Sequence, residues 1–154
     1  MTRLREGDPA PDFEMSSDDG STVSSASLAG TRYVLYFYPK DDTPGCTAQA
    51  CGLRDSWSRV TDTGVLLFGV SPDSVRSHAK FRAKYALPYP LLSDEGHRVA
   101  EAFGVWIEKT FAGRTYYGNE RSTFVIGPDG RIEHVLAAVK PVEHLDQLMD
   151  ALAA

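Results

Sequence analysis

Two short, almost wholly apolar runs constrain the fold of this chain more than any other feature. Residues 33–38 read Tyr-Val-Leu-Tyr-Phe-Tyr and stop at Pro39, and residues 64–70 form a second such run. A run that is apolar on both faces is typical of a central strand covered on both sides. The stretch between them, from residue 43 to about 61, has helical spacing. Strand, helix and strand within some forty residues predict a βαβ unit with parallel strands.

The rest of the chain extends this unit into a mixed α/β pattern. Residues 73–85 are predicted as a second helix, and residues 96–103 as a short one. Residues 123–126 and 132–136 predict an antiparallel hairpin, because Gly-Pro-Asp-Gly lies between them. Apolar residues in the last segment recur at helical spacing behind Pro141 and predict a C-terminal helix; they are Leu145, Leu148, Met149 and Leu152.

This order of elements is that of a thioredoxin-like fold, an α/β architecture with a mixed central sheet flanked by helices. A length of 154 residues suits a single domain covering 1–154.

Composition narrows the choice of partners and compartment. A net charge of −5 without a basic cluster argues against nucleic acid or an anionic membrane surface. The N-terminus lacks the apolar region of a secretory signal, and no apolar run approaches the ~18 residues that span a bilayer. The two cysteines, Cys46 and Cys51, are too few for a disulfide framework. We therefore expect a cytoplasmic protein whose cysteines are reactive rather than structural.

The segment most informative about chemistry is the predicted start of the helix after the first strand. Thr43 is a favoured N-cap residue and Pro44 suits the first helical position, which puts Gly45 second and Cys46 third. We expect the Thr43 oxygen to accept a backbone N–H of the first turn. Cys46 shares an apolar stripe with Ala50, Leu53, Trp57 and Val60, so its thiol should point inward. Free N–H groups and the helix dipole favour a thiolate there.

Cys51 follows five residues later, on a different side of the helix. In an intact helix the two Cα atoms would lie about 8.6 Å apart, whereas a disulfide needs less than about 7 Å. If Cys46 and Cys51 join, the first turns must therefore unwind. Gly45 and Gly52 bracket the segment and weaken it. The spacing differs from that of the Cys-x-x-Cys dithiols, which need no such unwinding.

These residues resemble the peroxiredoxins. Pro39, Thr43 and Cys46 match the family motif Pro-x-x-x-Thr-x-x-Cys. The flanking residues 37–55 are similar to the peroxiredoxin Q subfamily, also called bacterioferritin comigratory protein, as are Glu108-Lys109, Arg121 with residues 122–126, and Val139-Lys140-Pro141. Gln49 departs from the pattern, since many members have Glu there.

The resemblance implies a thiol-dependent peroxidase without cofactor or metal. Cys46 would be the peroxidatic thiolate and Cys51 the resolving cysteine, giving an intramolecular disulfide. Thr43 and Arg121 would orient and stabilise the thiolate and the hydroperoxide, Gly45 would offer its backbone N–H, and Pro39 would shield the site. The resemblance further implies hydrogen peroxide and organic hydroperoxides as substrates, a thioredoxin-like dithiol as reductant, and a monomer.

Several alternatives stay open at this stage. A thiol–disulfide oxidoreductase or a peroxide sensor on the same fold would share these residues, although the spacing of the cysteines disfavours the former. Arg121 is selected by the resemblance alone, because an arginine beside a strand is usually a solvated charge. The four histidines are scattered, without metal-ligand spacing to a cysteine. One segment is rich in aromatic residues and has several possible roles: a surface strand pair, a pocket wall, part of the core or an interface. These residues are Trp106, Phe111, Tyr116 and Tyr117.

Overall fold

The computed structural model describes residues 2–154. Seven strands form one mixed sheet, in the order β2-β1-β5-β4-β3-β8-β9, and β6 and β7 form a separate two-stranded sheet. The strands are β1 Glu14–Ser17, β2 Thr22–Ser24, β3 Tyr33–Phe37, β4 Leu66–Ser71, β5 Leu91–Ser93, β6 Trp106–Phe111, β7 Arg114–Asn119, β8 Ser122–Ile126 and β9 Ile132–Leu136. The helices are α1 Pro44–Asp55, α2 Trp57–Thr61, α3 Val75–Tyr85, α4 Arg98–Ala102 and α5 His144–Ala153, with single 3-10 turns at Ala26–Leu28 and Pro141–Glu143.

The predicted βαβ unit is the centre of the molecule. β3 and β4 run parallel, in a register from Tyr33↔Leu66 to Phe37↔Val70. On its other side β3 pairs antiparallel with β8, and β8 pairs antiparallel with β9, as the hairpin prediction required. The mixed sheet of a thioredoxin-like fold is thereby confirmed.

β3 is buried on both faces, and its side chains divide between two hydrophobic cores. Val34 and Tyr36 pack with the buried residues of α1 and α5. Leu35 and Phe37 face the other core, which contains Phe103. Because both faces are covered, the end of β3 is fixed, and the loop that follows it starts from a rigid position.

The helix predicted from residue 43 to about 61 is broken in two. α1 ends at Asp55, and Ser56, with φ −119° and ψ 29°, separates it from α2. Cys46, Ala50, Leu53 and Val60 are buried as the stripe predicted. Trp57 is only partly buried and packs against the edge of that core. The break turns α2 away from the direction that a continuous helix would follow.

The sequence pattern did not predict the β1–β2 hairpin, and it left several alternatives for the aromatic segment. β1 and β2 form an antiparallel hairpin around a turn at residues 18–20, and β1 also pairs with β5. The aromatic segment forms the β6–β7 ribbon, so the strand-pair interpretation is confirmed; Phe111 and Tyr117 are exposed on it, whereas Trp106 packs against the core. Among the described residues, the helices are all too short or too polar to cross a membrane.

Candidate active site

Cys46 lies in the first turn of α1, and only 2% of its surface is exposed. The loop from Tyr38 to Thr43 connects the rigid end of β3 to this turn. The first backbone N–H groups of a helix have no partner within it. The thiol is thus removed from bulk water and placed beside free N–H donors.

Arg121 is the side chain that approaches the thiol most directly. Its Nη1 and Nη2 atoms each lie 3.5 Å from the Sγ of Cys46. Arg121 immediately precedes β8, and Ser122 pairs with Phe37 at the end of β3. The antiparallel pairing therefore brings the arginine to the mouth of α1, although it is 75 residues away in sequence.

Gln49, one turn further along α1, orients this arginine. It is 1% exposed, and its Oε1 accepts a hydrogen bond of 2.5 Å from Arg121 Nη1. Its Nε2 donates to His144 Nδ1 at 3.0 Å. Burial, and secondarily the charge of Arg121, lower the pKa of His144 to about 3. His144 is therefore neutral at pH 7, and its protonated Nε2 donates to Thr123 Oγ1 at 2.8 Å.

Thr43 is at the N-cap position, but the predicted capping bond is wrong. Its φ of −90° and ψ of 155° are those of an N-cap residue, yet its side chain caps no N–H of the helix. Instead, its hydroxyl donates to the backbone oxygen of Lys40 at 2.9 Å. The lone pairs of the Thr43 oxygen are thereby left free to accept a hydrogen bond from a ligand.

Gly45 and Pro39 complete the set of predicted residues. A Cβ on Gly45 would lie 3.3 Å from Arg121 Nη2 and 3.4 Å from Pro141 Cγ. The missing side chain thus lets the guanidinium come close to the start of the helix. Pro39 is half-buried and directly follows the buried Tyr38.

Cys51 lies away from this group. It is half-buried on α1, and both cysteines are free thiols. A hydrogen bond with Asp55, and to a lesser extent the charge of Cys51, raise the pKa of Arg54. The charge of Cys51 also makes a minor contribution to the raised pKa of Tyr89. Tyr89, whose pKa is raised mainly by burial, donates from its hydroxyl to Ala50 O at 3.2 Å. Cys46 and Cys51 therefore occupy different environments while α1 is intact.

Lys109 belongs to the Glu108-Lys109 pair that resembles the family, and its charge interacts with the groups of the site. It lies on β6, and its Nζ donates to Asn119 O across the ribbon. Burial, followed by the positive charge of Arg121, lowers the pKa of Lys109, whereas the charges of Cys46 and Glu120 raise it.

A buried sulfur that faces a guanidinium fork at a helix start is suited to one kind of chemistry. The donors stabilise a thiolate, and they also stabilise negative charge that develops on an oxygen next to the sulfur. On a thioredoxin-like fold, this arrangement defines a thiol-based redox enzyme.

Comparisons with known proteins identify the family of thiol-based enzymes to which the chain belongs. The family model described as AhpC/TSA family matches residues 6–135. Peroxiredoxin Bcp of Escherichia coli (strain K12) is 45% identical over 152 residues, covering 99% of this chain and 97% of the relative. Peroxiredoxin Bcp of Bacillus subtilis (strain 168) is 45% identical over 146 residues, covering 95% and 93%.

Solved structures agree with these relatives. Peroxiredoxin Q of Xanthomonas campestris superimposes with a TM-score of 0.88 at 36% identity, covering 99% of this chain and 96% of that one. A second structure concerns the alkyl peroxide reduction activity of the bacterioferritin comigratory protein of Xanthomonas campestris, with a TM-score of 0.88, 35% identity, and coverage of 99% and 98%. The chain belongs to the AhpC/TSA family, and it is a thiol-dependent peroxidase of the peroxiredoxin kind.

Proposed function

We propose that Cys46 is the peroxidatic residue of this peroxidase. The observation that carries the proposal is the pair of contacts of 3.5 Å from Arg121 to its sulfur. The thiolate attacks the terminal oxygen of the hydroperoxide, so that a sulfur–oxygen bond forms and the oxygen–oxygen bond breaks. The leaving oxygen takes up a proton and departs as water or an alcohol, and Cys46 becomes a sulfenic acid.

The neighbouring groups divide the remaining tasks. Arg121 and the backbone N–H groups of Gly45 and Cys46 stabilise the charge that moves from sulfur to the leaving oxygen. Thr43 accepts a hydrogen bond from the O–H group of the hydroperoxide, since its own hydroxyl hydrogen is donated to Lys40 O. Pro39 shields the thiolate from bulk water.

Cys51 resolves the sulfenic acid in the second step. Its thiolate attacks the Cys46 sulfur, a disulfide forms, and the hydroxyl group leaves as water after protonation. Since α1 holds the two residues apart, its first turns must unwind before this attack. An external dithiol of the thioredoxin type then reduces the disulfide by thiol exchange.

The proposal also covers the oligomeric state, the substrates and the compartment of the protein. A single domain covering 1–154 acts as a monomer on hydrogen peroxide and on organic hydroperoxides. Support for the latter comes from the Xanthomonas campestris relative, whose solved structure is described by its alkyl peroxide reduction activity. A reducing cytoplasm, which keeps both thiols free between cycles, is the compartment that suits this chemistry.

Two serine variants test the assignment. Cys46→Ser should lose peroxide consumption with a dithiol reductant while it remains folded. Cys51→Ser should react once with peroxide and stop, and mass spectrometry should find a sulfenic or higher acid on Cys46 instead of the internal disulfide. Full turnover by Cys46→Ser would refute the peroxidatic role. A disulfide between two chains in the wild type would move the resolving step to an interface.

A further inference from the structure

A buried hydrogen-bonded pair, His78 and Asp41, lies beside the loop that leads into α1. The Nδ1 of His78 is 2.7 Å from Asp41 Oδ2, and the two side chains are 0% and 4% exposed. The other ring nitrogen, Nε2, is 2.9 Å from the backbone oxygen of Leu92. Asp41 lies only two residues before Thr43, so the pair connects α3 and β5 with the active-site loop, residues 39–43.

The geometry requires a proton between the two side chains. The Leu92 oxygen can only accept, so Nε2 carries a hydrogen. Without a further proton, the lone pair of Nδ1 would face a carboxylate oxygen at 2.7 Å. An imidazolium with a carboxylate, or an imidazole with a carboxylic acid, both supply that proton. In either form the contact is a buried, hydrogen-bonded tie rather than a packing contact.

Asp41 makes three further hydrogen bonds, all to residues outside the loop. Its Oδ1 accepts from the Tyr38 hydroxyl at 2.6 Å, and its Oδ2 accepts from the Ser77 hydroxyl at 2.8 Å. Its backbone N–H donates to Asp73 Oδ2 at 2.8 Å. The middle of the loop is thus tied to the residue that follows β3 and to the start of α3.

The loop needs such ties because its backbone is strained. Asp42 has a φ of 57°, in the left-handed region that residues with a side chain rarely adopt, although aspartate tolerates it better than most. Asp42 and Thr43 directly precede α1. Asp42 is also held to α3, by hydrogen bonds of 2.7 Å from Lys84 Nζ and from the Tyr85 hydroxyl, but these are exposed, whereas the bonds of Asp41 are more deeply buried. We therefore expect a loop released from Asp41 to shift the start of the first turn of α1.

We propose that His78 and Asp41 are positioning residues that hold the active-site loop in its peroxide-reactive conformation and oppose the unwinding of α1. This inference rests on the proposed roles of Cys46 and Cys51. His78 and Asp41 touch neither sulfur nor substrate; they act through Thr43 and the first turn. Loss of the tie therefore slows the oxidation of Cys46 but does not slow disulfide formation. Asp73 lies close enough to the pair for the three residues to hold a metal ion, but its Oδ2 already accepts hydrogen bonds from the backbone N–H of Asp41 and from the Ser71 hydroxyl.

The first test measures single-turnover oxidation of Cys46 by hydrogen peroxide in the Cys51→Ser background. Adding Asp41→Ala should slow this reaction by about tenfold or more, because small displacements of reacting groups cost large factors in rate. Adding Asp41→Asn should keep it within about threefold, because the amide still accepts from Tyr38 and donates to a neutral His78. Asp129→Ala, in an exposed turn at the other end of the sheet, is the matched control.

The second test follows disulfide formation after one equivalent of peroxide in the protein with both cysteines. Asp41→Ala should form the disulfide from the sulfenic acid at least as fast as the wild type. A purely structural defect would slow both steps, so equal slowing overturns the proposal. So does an unchanged oxidation rate, or an Asp41→Asn protein as slow as Asp41→Ala. If Asp41→Ala fails to fold, Tyr38→Phe and Ser77→Ala each remove one bond to Asp41 and should shift the two rates in the same directions.

A failure of the proposed function has a different signature. The Cys51→Ser parent protein, with its loop intact, would then leave peroxide unreacted. If the parent protein reacts and only the Asp41 variants behave contrary to expectation, the inference about the loop is wrong and the role of Cys46 stands.

Discussion

At the scale of the residue, the site depends on how Arg121 divides its donors. Nη1 donates hydrogen bonds to both the Cys46 sulfur and Gln49 Oε1, while Nη2 donates to the sulfur. Because Gln49 is neutral, it orients the guanidinium without cancelling its charge. The whole positive charge remains available to a thiolate and to the oxygen that leaves it.

This division predicts that charge alone is insufficient at position 121. Arg121→Lys keeps the charge but replaces a planar fork by a single ammonium, which cannot reach the sulfur and Gln49 together. We expect the oxidation of Cys46 to slow by about a hundredfold, as for the loss of a donor that stabilises the transition state. Stopped-flow measurement with hydrogen peroxide gives the rate. Arg114→Lys, on the exposed end of the β6–β7 ribbon, should have no effect; a fast Arg121→Lys enzyme would show that charge suffices.

The sequence identified part of this arrangement. Cys46 could be predicted from local rules, because a threonine, a proline and a glycine mark the start of a helix. Arg121 could be selected only through the family resemblance, and the hydroxyl of Thr43 binds Lys40 O rather than the helix. The buried pairs of Gln49 with His144 and of Asp41 with His78 were missed, since their members are 95 and 37 residues apart and only the folded sheet brings them together.

At the scale of the element, α1 must be stable enough to form the site and weak enough to open. Gly52 lies in its interior, and a Cβ there would meet nothing within 4 Å. Glycine within a helix costs up to about 1 kcal/mol relative to alanine. The glycine therefore lowers the free energy needed to bring Cys46 to Cys51.

Gly52→Ala should consequently stabilise α1 and slow disulfide formation by up to about fivefold, the factor that corresponds to ~1 kcal/mol. Oxidation of Cys46 should keep its rate, because the folded site is unchanged. Gly45→Ala should instead slow the oxidation of Cys46 without slowing disulfide formation, since its Cβ would lie 3.3 Å from Arg121 Nη2. Rapid-mixing measurement of both steps separates the two variants. If Gly52→Ala slows only the first step, α1 does not unwind in the second.

The accuracy of the predicted elements follows the strength of their local signals. Buried strands β3, β4 and β8 are continuous apolar runs and were located within one or two residues. The β1–β2 hairpin was missed because β2 alternates weakly and is short, so its pairing with β1 decides its conformation. The break at Ser56 was missed because the apolar spacing continues across it into α2.

At the scale of the whole molecule, His144 connects the C-terminal helix to the active site. It is fully buried at the start of α5 and bonds to Gln49 on α1 and Thr123 on β8. One histidine thus joins three elements around Arg121. Its pKa of about 3, set by burial and then by Arg121, means that the folded protein keeps it neutral where an unfolded chain would bind a proton.

The stability of the protein should therefore depend on pH through this residue. The folded pKa lies below the value of about 6.5 for a free histidine, so between the two values the unfolded state binds the extra proton. The contribution of neutral His144 is complete above the free value and declines as the pH falls toward about 3. Within that window the free energy of unfolding should lose up to about 1.4 kcal/mol per pH unit from this group.

His144→Asn isolates the effect, because asparagine can accept from Gln49 and donate to Thr123 but does not titrate. Denaturant unfolding at several pH values in this window should give a flatter dependence for the variant than for the wild type. The carboxylates contribute to both proteins and cancel in the difference. Gln147→Asn, a change between two non-titrating residues on the exposed face of the same helix, should leave the slope unchanged. Identical slopes for His144→Asn and the wild type would mean that His144 takes up a proton in the folded state, and that the link from α5 to Arg121 is made by a cation.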